Sequence, residues 1–304
     1  MKHTSKVTLL MVLLFFIAQV VGLFITGAYI DAEATDEKGE VTYSALPYSI
    51  ERPPIEQKRS FIFIITAILI GTVLALLLIK FKKTFLWKIW FFLAVFLCLS
   101  IALAAFIAPY VALALSLILA LYKIFRPNVF IHNITEVFIY GGLAAIFVPI
   151  MNLFAVVILL VLISIYDYIA VNKIKHMVTL AKFQTKTKVF AGLFIPYERE
   201  TAKEIYEKPK KAKHHVVKTA KIAVLGGGDI GFPLIFSGVV MSGLILENSM
   251  LVAFLKTLII PVFTSVALYI LLMKGEKDKF YPAMPFLSAG CFLGFFVLWL
   301  INFL

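Results

Sequence analysis

Asp167 and Asp229 each sit inside a long apolar run, the first between Phe154 and Val171, the second between Lys221 and Phe236. A charged side chain at the bilayer centre costs about 2.5–3.5 kcal/mol on insertion scales, so such residues mark functional sites by default. Two carboxylates brought to one place cannot both ionise readily, and the pair holds one proton between them. The ionised member can take a proton from water while the protonated one gives its proton to a scissile carbonyl. That is peptide hydrolysis without a metal, a cofactor or a covalent intermediate. Taken singly, each aspartate also fits an ordinary polar group near a helix end, or one member of an ion-relay pair. The elements that carry them decide.

Composition sets those elements. Hydrophobic residues make up 62% of the 304-residue chain, charged residues only 15%, and there are 29 Phe; mean hydropathy is +0.99. These values exclude a soluble globular domain. The net charge of +12 does not point to nucleic acid, because the basic residues lie between apolar segments rather than on one soluble unit. Cys98 and Cys291 both fall in apolar runs with no paired spacing, as buried apolar residues do. His176, His214 and His215 lack the cysteine or carboxylate spacing of a metal site and read as solvated loop residues, so no metal is expected.

A membrane helix needs about 20 apolar residues, or about 17 when short. The runs 7–30, 60–79, 86–107, 109–125, 134–149, 151–171, 221–243, 249–273 and 281–303 meet this, giving an all-α polytopic protein of nine spans. The first run exceeds the usual apolar length of a signal peptide and reads as a retained span, despite an Ala-Glu-Ala at 32–34. With the N-terminus cytoplasmic, Lys2/Lys6, Lys80 to Lys88, Lys123/Arg126, the 172–220 segment and Lys274 to Lys279 all lie inside, as the positive-inside rule asks. The acid-rich segment 31–59 and the C-terminus then lie outside. The chain divides into spans one to six (1–171), a basic cytoplasmic loop (172–220) and spans seven to nine (221–304). Within the loop, 173–195 mixes Lys with Met, Leu and Phe, as a helix lying on an anionic leaflet would, whereas 196–220 is rich in Pro, Lys and His.

This topology predicts that the two aspartates meet. Asp167 lies six residues before Lys173 and Asp229 eight after Lys221. At the helical rise these are about 9 Å and 12 Å from the inner boundary, on spans running in opposite directions.

The Gly226-Gly227-Gly228-Asp229-Ile230-Gly231 stretch also matches a dinucleotide-binding fingerprint after a strand-like Ile222 to Leu225. Pro233 in the following helix, an aspartate where the pyrophosphate would lie, and the lack of room for a soluble βαβ unit argue against that reading. In a membrane helix such glycines permit close helix approach and locally loosen the backbone, which admits water and substrate beside Asp229. For Gly227 and Gly231, plain packing is the simpler role.

Together these residues resemble a known family. Tyr166-Asp167, Gly226-x-Gly228-Asp229 and Pro282-Ala283-Met284 look like the YD, GxGD and PAL motifs of presenilin and signal peptide peptidase. His176 to Lys182 is similar to the MVTVAK stretch of signal peptide peptidase, and Gly228-Asp229-Ile230 with Pro233 to its GDIxxP. Pro282 to Pro285 resembles the presenilin PALP. The resemblance implies an intramembrane-cleaving aspartyl protease with Asp167 and Asp229 as the catalytic pair. It further implies Tyr166, Gly226, Gly228, Pro282, Ala283 and Met284 at the substrate site, no cofactor, and transmembrane proteins as substrates. No nucleic acid partner and no accessory subunit are expected. The chain lacks the long extensions of animal presenilins, which implies a prokaryotic, archaeal homologue in the cell membrane. Met284 stands where the family has Leu, a volume-conserving change. The rival readings are a prepilin-type GxGD peptidase, which has no PAL-like motif, and a proton-coupled transporter or leak channel, for which no repeated halves are seen.

Overall fold

The apolar runs fold as helices, because a backbone surrounded by hydrocarbon must satisfy its own amides and carbonyls. The computed structural model describes residues 5–126, 128–174, 183, 189–196, 222–275 and 281–303. Its helices are α1 (Ser5–Ala28), α2 (Ala32–Lys38), α3 (Ser60–Lys80), α4 (Thr84–Ala104), α5 (Pro109–Phe125), α6 (Val129–Phe147), α7 (Leu153–Ile169), α8 (Gly227–Ile245), α9 (Met250–Thr257), α10 (Ile259–Lys274) and α11 (Met284–Phe303). Four short strands, β1 (Ile30–Asp31), β2 (Thr42–Tyr43), β3 (Gly192–Pro196) and β4 (Ile222–Gly226), form two antiparallel ribbons, β1 with β2 and β3 with β4.

Among the described residues, eight helical stretches are long and apolar enough to cross a membrane, with α9 and α10 forming one of them as Met250–Lys274. The run expected as the fourth span folds as α5, an apolar helix of 17 residues that is shorter than those eight. At the helical rise it reaches about 25 Å, against about 30 Å of hydrocarbon.

Three sequence expectations are corrected. The seventh span starts at Gly227 rather than at 221, because residues 222–226 are strand β4. A five-residue apolar run has no period that separates strand from helix, and the glycines that follow are poor at starting a helix inside a longer one. Residues 192–195, at the end of the expected surface helix, belong to strand β3. The segments 175–182, 184–188 and 197–221, with His176, His214, His215 and the MVTVAK-like stretch, lie outside the described residues. Finally, the fifth span starts at Val129 rather than 134, capped by Asn128, whose side chain accepts from the Phe130 amide at 2.8 Å.

The acid-rich 31–59 segment is a folded cap rather than an open loop. Asp31 caps α2 by accepting from the Ala34 amide at 3.0 Å, and Gly39 ends it in the left-handed region at φ 66°. The Tyr29 hydroxyl donates to the Ile101 carbonyl at 2.7 Å and that of Tyr48 to the Pro109 carbonyl at 2.6 Å. The cap is thereby tied to the end of α4 and the start of α5.

Helix α8 lies at the centre, packed by α1, α6, α7, α10 and α11. Glycines bring the helices together where no side chain fits. A Cβ at Gly290 would meet Thr264 Cα at 2.9 Å, and one at Gly294 would meet Ile260 Cα at 2.8 Å, so α11 lies directly against α10. A Cβ at Gly142 would run into the Cys98 carbonyl of α4. Because that obstacle is backbone, Gly142→Ala is expected to cost about 1–3 kcal/mol, read as a lowered thermal unfolding midpoint of the purified protein.

Candidate active site

Asp167 sits in the last turn of α7, whose chain continues into a π-helical turn, Ala170–Ile174. Its side chain is only 6% exposed. The carboxylate is held by the N-terminus of α11: Oδ2 accepts from the Met284 amide at 3.1 Å, and the Ala283 amide also bonds to it. The first amides of a helix have no intrahelical acceptor and carry the positive end of its dipole, so they form a ready anion site. Pro282 and Pro285 frame these two donors, and a proline in the first turn gives up an amide that would be unpaired anyway. Ser164 Oγ and Ser288 Oγ, 2.8 Å apart, pin the same two helices one turn further in.

Asp229 lies in the first turn of α8, third after the N-cap Gly226. Its carboxylate turns back to the Gly226 amide, the return half of a capping box. Gly226 is needed for space: its backbone is extended (φ −65°, ψ 149°), but a Cβ there would lie 3.2 Å from Asp229 Oδ2. Pro233, four residues on, has no amide to give to the Asp229 carbonyl, which leaves the helix loosened at this point. Gly226→Ala is therefore expected to shift the carboxylate by a few tenths of an ångström and slow cleavage about tenfold. The unfolding midpoint, measured alongside, should stay close to the parent value.

Helices α7 and α8 are packed together, and the two carboxylates lie close enough for their charges to interact. The geometry that brings their two elements together differs from the one expected. Asp229 is not eight helical residues beyond a boundary lysine; it stands at a helix start, beside the last turn of α7.

The other residues named from sequence divide in their placement. Gly226, Ala283 and Met284 adjoin the carboxylates as described. Gly228 is exposed, and a Cβ there would meet the Phe232 ring at 3.3 Å. Tyr166 points its hydroxyl at Thr72 Oγ1 of α3, 3.3 Å away. The Met284 side chain is buried in the main apolar core, so the departure from Leu falls on packing, while the backbone amide meets the carboxylate.

An open groove of about 270 Å³ is lined by Ser164, Ile165 and Tyr168 of α7 and Pro285 of α11. A second cavity of about 200 Å³, lined by residues including Leu153, Val240, Leu298 and Trp299, lies near the opposite ends of the same helices, away from the aspartates. Among the described residues, no three His, Cys, Asp or Glu side chains gather as metal ligands would.

Sequence reasoning missed a polar shell behind Asp229. Lys123, read as a boundary charge on the cytoplasmic side, is 3% exposed and pairs with Glu136 at 2.7 Å. Gln19, the one strongly polar residue of the apolar run 7–30, donates to the Ile230 carbonyl at 2.9 Å. Opposite charges on either side of the short α5–α6 turn were the available signal for the ion pair.

The family profile for signal-peptide peptidase and presenilin aspartyl protease matches residues 39–303. No curated protein sequence matches the chain. Two crystal structures of a presenilin family intramembrane aspartate protease share the fold. The form in space group C222 superposes with a TM-score of 0.59 at 20% identity, covering 97% of this chain and 99% of that one. The P2 form gives 0.58 at 20% identity, covering 96% of each. With the family profile spanning nearly all of the chain and the fold shared throughout, the chain belongs to the signal-peptide peptidase and presenilin family and is an intramembrane aspartyl protease.

Proposed function

We propose that Asp167 and Asp229 are the catalytic dyad, hydrolysing peptide bonds within transmembrane segments of other membrane proteins with water as nucleophile. The observation that carries this is the pair itself, two carboxylates from adjacent helix ends close enough to interact inside an apolar bundle. To Asp167, held by the α11 amides, we assign the role of receiving the proton of the attacking water. Asp229, turned onto a single backbone amide, is then the member that protonates the scissile carbonyl.

A transmembrane helix hides its amides, so the substrate must unwind at the site. Strand β4 leads directly into the Asp229 turn. The polar groups of Gly192 and Phe194 in β3 are taken by α6 side chains. The strand register then directs Leu193 and Ile195 toward β4 and leaves the Val224 amide and carbonyl on the outer edge. Among the described residues no strand pairs with that edge, and a strand edge is where an extended peptide adds. Entry from the lipid side is assigned to the groove between α7 and α11, whose lining residues Ser164 and Tyr168 lie on the same helix as Asp167.

The same reading places the N-terminus and the 172–220 loop in the cytoplasm, the C-terminus outside, α5 as a ninth span, and the protein in a prokaryotic cell membrane, working without accessory subunits. In intact cells the 172–220 loop should resist external protease and be cut only after permeabilisation. Cutting from outside would reverse the orientation. In liposomes the purified protein should cleave without passing ions, whereas flux without cleavage would favour a transporter.

A further inference from the structure

Four α6 side chains, His132, Asn133, Glu136 and Tyr140, contact the β3–β4 ribbon or the turn that carries Asp229, and none belongs to the dyad. Asn133 bonds both backbone groups of Phe194, donating to its carbonyl at 2.8 Å and accepting from its amide at 3.1 Å, as a neighbouring strand would. His132 Nε2 lies 2.8 Å from the Gly192 carbonyl. Glu136 is 1% exposed and is shared three ways. Its Oε1 accepts from Lys123 Nζ at 2.7 Å, and its Oε2 accepts from both the Gly192 amide at 3.0 Å and the Tyr140 hydroxyl. Lys123 completes its own set with Thr135 Oγ1 at 2.9 Å and the His132 carbonyl at 3.3 Å.

The two groups that Glu136 holds grip the catalytic turn from separate sides. Gly192 is directly opposite Gly226 in the strand register. The neighbouring Gly227 amide donates to the Ala191 carbonyl at 3.1 Å. From the other side, Tyr140 lies so close that a Cβ at Gly227 would be 2.7 Å from its hydroxyl oxygen. Gly227 is thus the glycine of the turn that touches this shell, and its packing role has a partner. Buried ion pairs seldom add stability over apolar side chains of like volume. A fully bonded one does fix geometry, since each member is over-determined.

We propose that Lys123, Glu136 and Tyr140 form a positioning site for the turn carrying Asp229, with Asn133 holding the strand behind it. This rests on the reading of Asp229 as a catalytic residue. The cluster touches no substrate atom; it sets where the carboxylate stands relative to Asp167. Its effect falls on the chemical step rather than on substrate capture.

The test compares Tyr140→Phe and the double variant Lys123→Met/Glu136→Met, which removes both charges so that neither is left unpaired, with the parent protein. Two readouts are taken on the purified full chain: kcat and KM on a single-span substrate, and amide hydrogen exchange. The expected result is a fall in kcat of about tenfold or more with KM changed less than about twofold. Exchange should speed up in 192–196 and 222–229 while α1 and α11 keep their protection. Unchanged kcat in both variants overturns the proposal. So does exchange that rises equally in α1, α11 and the ribbon, which marks a general scaffolding role. If the parent protein cleaves nothing, proteolysis by this dyad is refuted, and the exchange pattern alone decides whether the cluster positions the turn.

Discussion

Asp229→Asn is expected to reduce cleavage of a transmembrane substrate by at least about 1,000-fold while leaving the fold intact. Asn has the shape of Asp and can still accept from the Gly226 amide, so the helix start is preserved. What it cannot do is exchange a proton with the substrate. General acid–base action alone contributes about 10²–10⁴-fold, and the two carboxylates act as a unit, so losing one forfeits most of the effect of both. Asp167→Asn should be equally inactive, and the double variant no worse than either single one. Residual activity of a tenth or more in Asp229→Asn, with an unchanged unfolding midpoint, would remove Asp229 from the chemistry. The decisive comparison is rate against midpoint in the same preparation, because loss of both together reports only misfolding.

The second large effect is predicted at a backbone group. Met284→Pro removes the amide that donates to Asp167 Oδ2 at 3.1 Å. Met284 is the first residue of α11, where proline is tolerated in a helix. A hydrogen bond to a charged group is worth about 1.5–3 kcal/mol, so cleavage should slow by roughly 10- to 100-fold. Met284→Leu changes only a buried apolar side chain and should retain activity within about threefold. The pair of substitutions separates the two meanings of this motif. If Pro and Leu behave alike, the side chain rather than the amide is what matters at position 284. Kinetics with a single-span substrate, read beside the unfolding midpoint, distinguish these outcomes.

The aspartates were legible because a carboxylate in an apolar run has few cheap explanations. Spacing from the boundary lysines misplaces Asp229, however, because residues 222–226 are a strand, which rises about 3.3 Å per residue rather than the 1.5 Å of a helix. Their meeting survived because both lie at ends of neighbouring helices, a fact carried by Gly226 and by the last turn of α7 rather than by spacing from lysines. Lys123 was hidden by Arg126, since two basic residues at the end of an apolar run look like a membrane boundary. Glu136 was hidden by His132 and Asn133, whose polarity made the span seem to start at 134. Lys123 finds its partner on α6, Glu136 on α5 and β3, and His132 and Asn133 on β3; no local pattern reveals such a partner. The resemblance implied a substrate site at Pro282 to Met284; what no motif announced is that the Ala283 and Met284 amides hold Asp167.

The most direct test is to map the bonds cut when the purified protein alone, in liposomes, meets a model substrate with one transmembrane segment. Product masses should place the cuts inside the apolar segment, in its cytoplasmic half. They should disappear with Asp167→Asn, with Asp229→Asn, and with an aspartyl-protease transition-state analogue. Cuts confined to the soluble flank of the substrate, or cleavage that persists in either variant, would contradict the account.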